Sequence, residues 1–407
     1  MRRAQRLRSV LARPLSTASS AISTIKVPPI LQIGGGSASS VSDTLKVLGC
    51  KRPLIVTDAF FSSSPMLAAL RGSLSDAALD HATFDGVVPD PTTDSLDAGV
   101  ALAKAASSDS IIGFGGGSSI DSAKAIAVLV EHGGPLSRFK APTVTPSGLP
   151  VVAVPTTAGT GSEATRVAVV TDSSTHEKFL CLGDGLMPAA AHVDYELTMQ
   201  KPYRLTADSG LDALCHAMEA FVSRKAAPFT DTLALAACRT IAEHLPSACA
   251  HPDDRRAREA MMLASTQAGI AFSNASVTLI HGMSRPIGAR YHVPHGMSNA
   301  MLLPAVTQFS LDGARERYAE VSRAMGLADA SDGTGAACAK LVDGLRRLTA
   351  ELSVPTLAEF GVAEADFLAA APVMAQQALA SGSPAFNPIV PSQDEVVELY
   401  GRVYASA

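Results

Sequence analysis

Ile111-Ile112-Gly113-Phe114-Gly115-Gly116-Gly117-Ser118-Ser119-Ile120-Asp121 reads as an apolar strand that enters a glycine turn and leaves it as a helix. Glycines let backbone N–H groups approach a pyrophosphate, and the positive end of the following helix faces the same anion. The spacing differs from GxGxxG. Ser118 and Asp121 stand at capping-box spacing, which predicts that Asp121 caps this helix.

Outward from this stretch the pattern repeats. Strand-like runs fall at Leu54 to Asp58, Thr83 to Val87, Ile111 to Phe114, Val151 to Val154 and Val167 to Val170. Helical runs separate them at Pro65 to Leu74, Ser95 to Ala106 and Ser119 to Val130. Such alternation predicts an α/β domain with a Rossmann-like parallel sheet over residues 25–199, with ligands at the carboxyl ends of its strands. Beyond Leu205 the texture changes to alanine-rich runs of helical period, from Asp208 to Ser223, Asp231 to His244, Arg255 to Phe272, Arg315 to Met325, Gly335 to Leu352 and Ala363 to Ala380. Residues 200–407 are therefore expected to form an all-α domain.

Two polar islands interrupt that helical half. Asp212 and His216 are four residues apart in Leu211-Asp212-Ala213-Leu214-Cys215-His216, so both project from one helical face. His281-Gly282-Met283-Ser284-Arg285-Pro286 and Val293-Pro294-His295-Gly296-Met297 add histidines on what reads as a short helix-turn segment. Asp212, His216, His281 and His295 are the expected ligands of one divalent metal, which makes the second half a metal-binding domain. His81, His132, His176, His192, His244 and His251 lack such company and read as structural or solvent-facing.

In the first half, Asp58 closes a strand where a carboxylate can accept hydrogen bonds from an adenosine ribose and repel a 2′-phosphate, favouring NAD over NADP. Pro155-Thr156-Thr157-Ala158-Gly159-Thr160-Gly161-Ser162-Glu163-Ala164-Thr165 follows a buried strand with a loop dense in hydroxyls, suited to a cofactor's phosphates or nicotinamide amide.

Composition narrows the class. Hydrophobic residues make up 47% and charged residues 17%, with no apolar run long enough for a membrane helix, so no membrane partner is expected. Tryptophan is absent and aromatics are 5%, which argues against a nucleic-acid stacking platform. The six cysteines show no CxxC and read as buried thiols in a reducing compartment. Residues 1–24 carry Arg2, Arg3, Arg6, Arg8 and Arg13 and no acid, with Leu7, Val10, Leu11 and Leu15 on one side of a helical wheel. That is the pattern of a transit peptide, for the mitochondrial matrix in preference to a plastid because arginine outweighs serine; a cytoplasmic protein with a basic tail is the alternative.

Taken in order, Gly115-Gly116-Gly117-Ser118, Pro155 to Thr160, Gly210-Leu211-Asp212-Ala213-Leu214-Cys215-His216-Ala217, His281-Gly282-Met283 and Pro294-His295-Gly296 resemble the iron-containing (group III) alcohol dehydrogenases over nearly the whole span from Pro28 to Tyr404. The resemblance implies an NAD(P)-binding α/β domain, a helical metal domain, a cleft between them and a homodimer. Its metal ligands fall on Asp212, His216, His281 and His295, matching the spacing argument. Its dinucleotide contacts fall on Asp58, Asp90, Gly117, Ser118, Thr156, Thr157, Thr165, Lys178 and Leu197. Asp90 departs from the family's usual asparagine, and Arg285 departs from a histidine that many relatives use to relay the substrate proton. Arginine does not titrate near neutral pH, so Arg285 cannot be that acid or base and could instead hold an anionic substrate group, and His292 is either a substitute relay or a surface histidine.

Three imidazoles and a carboxylate suit Fe(II) or Zn(II); iron follows from the resemblance. The expected reaction is hydride transfer between NAD and a small alcohol or hydroxyacid, or the reverse reduction of an aldehyde. The alternatives are a hydroxyacid-oxoacid transhydrogenase with retained NAD and a sugar-phosphate cyclase-like lyase.

Overall fold

The computed structural model describes residues 22–175 and 177–405; the arginine-rich segment at 1–24 lies outside them except for its last three positions. Strands β1 (Ile30–Ile33), β2 (Pro53–Asp58), β3 (Ala82–Val87), β4 (Ser110–Gly115), β5 (Val151–Pro155) and, later in the chain, β8 (Ala190–Val193) form one sheet in the order β1-β8-β5-β4-β2-β3. Every neighbouring pair in it is parallel. Helices α1 (Val41–Val47), α2 (Pro65–Asp76), α3 (Thr93–Ala105) and α4 (Gly117–His132) connect the strands.

Strand side chains alternate between two cores, as a period of two requires. Leu54, Val56, Ile111 and Val151 belong to the cluster on one face. Ile55, Ile112, Phe114, Val152 and Val154 belong to the cluster on the other. With both faces covered, β4 and β5 are buried along their whole length, which is why they read as unbroken apolar runs.

The expected α/β sheet is therefore present, with one difference. Val167 to Val170 does not join it: β6 (Val167–Thr171) pairs antiparallel with β7 (Lys178–Leu182) as a separate two-stranded ribbon. Strands β1 and β8 are four residues each, too short to stand out as periodic runs.

From Tyr203 onward the described chain is helical: α5 (Tyr203–Val222), α6 (Pro228–Ala250), α7 (Arg255–Ala275), α8 (Leu279–Tyr291), α9 (His295–Ser310), α10 (Arg315–Ala324), α11 (Thr334–Glu351), α12 (Glu364–Ala380) and α13 (Gln393–Ala405). Nearly every residue of α5 from Thr206 to Val222 is buried, so it is the central helix of this half. The helix-turn segment expected around His281 is instead two full helices, α8 and α9, joined by His292, Val293 and Pro294. All six cysteines are free and buried, as the sequence predicts. Among the described residues no helix is long and apolar enough to cross a membrane.

The topology places one crevice. β2 is hydrogen-bonded to β3 on one side and to β4 on the other, so the order of strands reverses between β2 and β4. At such a reversal the loops leaving the two strands part and open a cleft at their carboxyl ends. Asp58 and Gly115 are the last residues of those strands.

Candidate active site

The glycine turn sits at this switch point. Gly115 has φ 148°, a left-handed backbone that favours glycine, and a Cβ there would lie 2.4 Å from Ser119 Oγ and 3.7 Å from Asp58 Oδ2. Helix α4 then begins with Gly116 as its N-cap and with no side-chain cap. The expected Ser118–Asp121 capping box is absent because Asp121 is drawn elsewhere: Oδ1 accepts from Ser162 Oγ at 2.5 Å and Oδ2 from the Val169 amide at 2.9 Å. The first N–H groups of α4, those of Gly117 and Ser118, therefore remain turned out toward the crevice. Asp58 uses Oδ1 to cap the next helical turn through the Phe61 amide at 3.1 Å, leaving Oδ2 beside the glycine turn.

The loop after β5 lies across this turn, with the Thr156 amide donating to the Gly115 carbonyl at 2.9 Å. The hydroxyls of Thr156 and Thr157 are buried and have no hydrogen-bond partner among the described residues, the condition a bound polar ligand would relieve. This cradle of glycine backbone, free N–H groups and orphaned hydroxyls fits a dinucleotide phosphate. Thr165 behaves differently: its hydroxyl is committed to Lys124 Nζ at 3.0 Å and to the Ser162 carbonyl at 3.2 Å.

Lys124 was not singled out from sequence, yet it fastens the loop. Fully buried, it donates to the carbonyls of Ser162, Thr165 and Val167 and to the hydroxyls of Ser162 and Thr165, all within 3.2 Å. Burial lowers its pKa to about 8, against the pull of Asp121 and Glu163. Farther out, Lys178 Nζ pairs with Asp90 Oδ1 at 2.6 Å, so these two expected cofactor contacts meet each other. Leu197 is buried in the core beneath the sheet.

The metal candidates converge where α5, α8 and α9 meet. Nε2 of His216, His281 and His295 lies 3.8, 3.4 and 3.8 Å from Asp212 Oδ1. Four ligands at about 2.1 Å from one ion in tetrahedral array stand about 3.4 Å apart; Asp212, His216 and His281 offer ligand atoms that all lie within 4.8 Å of one another, close to that spacing, while His295 nears Asp212 but stands outside this mutual set. Asp212, His216 and His281 are buried, whereas the His295 side chain is 37% exposed and marks the open side. Asn299, one turn after His295, aims Nδ2 at Asp212 Oδ1, His281 Nε2 and His295 Nε2 at 2.7, 3.1 and 3.3 Å. Three acceptor-capable atoms sharing a single amide nitrogen are a set that calls for a cation.

The distal ring nitrogens are held by the fold. His216 Nδ1 meets the Gly159 carbonyl at 3.2 Å, which ties the metal cluster to the cofactor loop and leaves Nε2 facing inward. His281 Nδ1 is bonded to Glu219 Oε2, while Glu219 Oε1 accepts from Thr278 Oγ1 at 2.8 Å and the Ile280 amide at 2.7 Å. A carboxylate behind a ligating imidazole fixes its tautomer and raises its basicity. Burial pushes His216 down to about 4 despite Asp212, keeping its imidazole neutral. Burial also opposes charge on His281, but Glu219 and Asp212 overcome it and raise His281 to about 9. Asp212 is likewise opposed by burial, and the three histidines hold its carboxyl well below the usual range.

Of the two remaining candidates, Arg285 stands one turn after His281 on α8 and donates from Nη1 to Ser383 Oγ at 3.0 Å. His292 is exposed at the C-terminus of α8, in left-handed conformation at φ 56°, outside the buried cluster.

Comparison with known proteins agrees with this arrangement. Residues 28–195 match the family "Iron-containing alcohol dehydrogenase", and residues 206–404 match "Fe-containing alcohol dehydrogenase family, C-terminal". The chain is 37% identical over 375 residues to the NAD-dependent methanol dehydrogenase of Bacillus methanolicus, covering 92% of this chain and 97% of that one. Among solved structures it resembles 1,3-propanediol oxidoreductase, with a TM-score of 0.90 and 35% identity over 94% of this chain and all of that one. It also resembles sulfoacetaldehyde reductase from Bifidobacterium kashiwanohense in complex with NAD+, with a TM-score of 0.84 and 27% identity over 95% of this chain and all of that one. With sheet, switch-point cradle and a cluster of three histidines around Asp212 in the same chain, the protein belongs to the iron-containing alcohol dehydrogenase family.

Proposed function

We propose that the protein interconverts a small alcohol and its aldehyde or ketone with NAD, releasing one proton per alcohol oxidised, and that Asp212, His216, His281 and His295 hold one divalent ion. The observation that carries this reading is the convergence of three imidazole nitrogens on Asp212 Oδ1 within 3.8 Å, joined to the cofactor loop by the contact between His216 and Gly159. When bound, the ion supplies Lewis acidity at the substrate oxygen and NAD supplies the hydride acceptor. Iron is supported by the family and zinc is compatible with the donor set.

The chain's own residues set the geometry. Gly117 and Ser118 receive the pyrophosphate on free N–H groups, Thr156 and Thr157 offer unpartnered hydroxyls, and Asp58 takes the adenosine ribose. The Asp90–Lys178 pair borders the dinucleotide, Leu197 supports the sheet beneath it from the core, and Thr165 acts through the loop that Lys124 fastens. The proton departs to solvent on the open side at His295, with exposed His292 as the candidate relay. That a similar protein is named for NAD-dependent methanol oxidation supports the cofactor assignment.

The test is purified protein loaded with Fe(II) or Zn(II), given NAD and a panel of short alcohols and acidic alcohols. NADH absorbance should appear, and His281→Ala should lose both turnover and bound metal. Silence on every substrate would overturn the reading, and turnover between a hydroxyacid and an oxoacid without added NAD would favour the transhydrogenase. The arginine-rich first 24 residues support import into the mitochondrial matrix. A fluorescent protein carrying them should enter mitochondria, and a cytosolic signal would reject that assignment. A homodimer is proposed from the family alone, to be checked by light scattering.

A further inference from the structure

Arg285 is half-buried and short of protein partners. It follows His281 by one turn of α8, so the two side chains share a helix face. Among the described residues its guanidinium, which carries five N–H donors, makes a single hydrogen bond, to Ser383 Oγ, and no ion pair. The acid that acts on it most is Glu219, whose two oxygens are taken by His281, Thr278 and Ile280. Lys124, a fully buried cation, is by contrast surrounded by five oxygen acceptors. A half-buried guanidinium with N–H donors to spare, one turn from His281, is open to an anionic ligand.

The charge of the site says what that ligand carries. Asp212 and Glu219 bring two negative charges, which match a divalent ion held by neutral imidazoles. Arg285 then leaves one positive charge over, and an oxidised nicotinamide adds a second. A substrate oxygen that has shed its proton offsets one of the two. The other calls for an anion elsewhere on the substrate, within reach of a guanidinium one turn from His281. Ser383 is placed to share it: its hydroxyl lies 3.2 Å from Ser381 Oγ, and the turn that bears it packs so closely on α8 that a Cβ on Gly282 would come within 2.5 Å of Pro384 Cγ.

We infer that Arg285 and Ser383 form a carboxylate seat, and that the substrates are hydroxy acids and their oxo-acid products, a refinement that rests on the dehydrogenase reading above. The hydride leaves the carbinol carbon for NAD and the hydroxyl proton goes to solvent, while the substrate carboxylate stays unchanged on the guanidinium as a paired, charge-assisted contact.

The test compares ω-hydroxy acids with alcohols of the same length, glycolate with ethanol, 3-hydroxypropanoate with 1-propanol and 4-hydroxybutanoate with 1-butanol, on metal-loaded protein with NAD. At least one acid should have the higher kcat/KM. Arg285→Gln should lower that value about 10- to 100-fold, mainly through KM, a loss larger than the one it causes for the matched alcohol, and leave bound metal unchanged. Calorimetric binding of the same acid should weaken in parallel, and Arg285→Lys should restore part of both. If Arg285→Gln fails to fold, Ser383→Ala replaces it and should reduce kcat/KM for the acid alone. Equal treatment of acids and alcohols by the wild type, or an equal loss in both series on substitution, overturns the seat. If nothing is turned over, the dehydrogenase reading falls, and calorimetry decides the seat by itself: an acid bound by the wild type and by Arg285→Gln alike rejects it.

Discussion

Glu219 is not itself an expected metal ligand, yet it holds His281 from behind and is itself held by Thr278 and Ile280. Glu219→Gln keeps the shape and removes the charge, and it should weaken metal binding about 10- to 100-fold, measured by competition with a chelator; unchanged affinity would make Glu219 a packing residue only. The same contact predicts a proton count. Raised to about 9 by Glu219 and Asp212 against burial, metal-free His281 is protonated at neutral pH. Its contribution to apo stability is complete below the unfolded histidine pKa, near 6.5, and is lost as pH rises through about 9. Metal uptake at pH 7 should therefore expel about one proton and tighten as pH increases toward 9; titration in two buffers of different ionisation enthalpy reads that number directly. The residue was within reach of sequence reasoning. Asp212, His216 and Glu219 lie at i, i+4 and i+7 in the otherwise apolar stretch of helix α5 from Gly210 to Val222, a single polar stripe that ordinary solvation does not account for. Asn299 follows His295 by the same four-residue step.

At the scale of elements, the strands with long apolar runs were legible because both faces of a parallel sheet are buried, which leaves continuous Val and Ile signals at β2, β4 and β5. Strand β6 misled for the opposite reason. Its Val-Ala-Val-Val run fits a buried strand, but only alternate residues are buried, on a ribbon that lies against the sheet's helices. Helices α8 and α9 were obscured by Gly282, Pro286, Gly288 and Pro304, residues that argue against a helix locally and are overruled by tertiary burial. The docking of the cofactor loop was not legible at all. Gly161, at φ 60°, is packed against Gly269 of α7 so tightly that a Cβ would fall 2.5 Å from the Gly269 Cα. Gly161→Ala should destabilise the protein by about 1–3 kcal/mol and weaken NAD binding by displacing Thr156 and Thr157. A melting temperature and NAD affinity equal to wild type would show that the loop tolerates movement there.

Over the whole molecule, the loop joins the two halves beside a small shared apolar cluster of Ile120, Ala153, Ala191, Val193 and Met262. Glu163 accepts from Thr266 of α7 at 2.7 Å, Gly159 faces His216 of α5, and the Arg166 amide donates to Ser273 at 3.1 Å. The ligands come from α5, α8 and α9, so a bound ion cross-links helices far apart in sequence. An ion present at a thousandfold its dissociation constant adds about 4 kcal/mol to stability. Chelation should accordingly lower the unfolding temperature, with recovery on adding Fe(II) or Zn(II), and Asp212→Ala should abolish that response. Lys124 carries a different consequence. Because this one cation gathers Ser162, Thr165 and Val167 within the protein itself, the loop is ordered when the chain folds and not when the dinucleotide arrives. The conformational entropy of that segment is thus already lost in the free protein, and cofactor association proceeds as the docking of a ligand into a rigid cradle, with little heat-capacity change beyond that of the surface it covers.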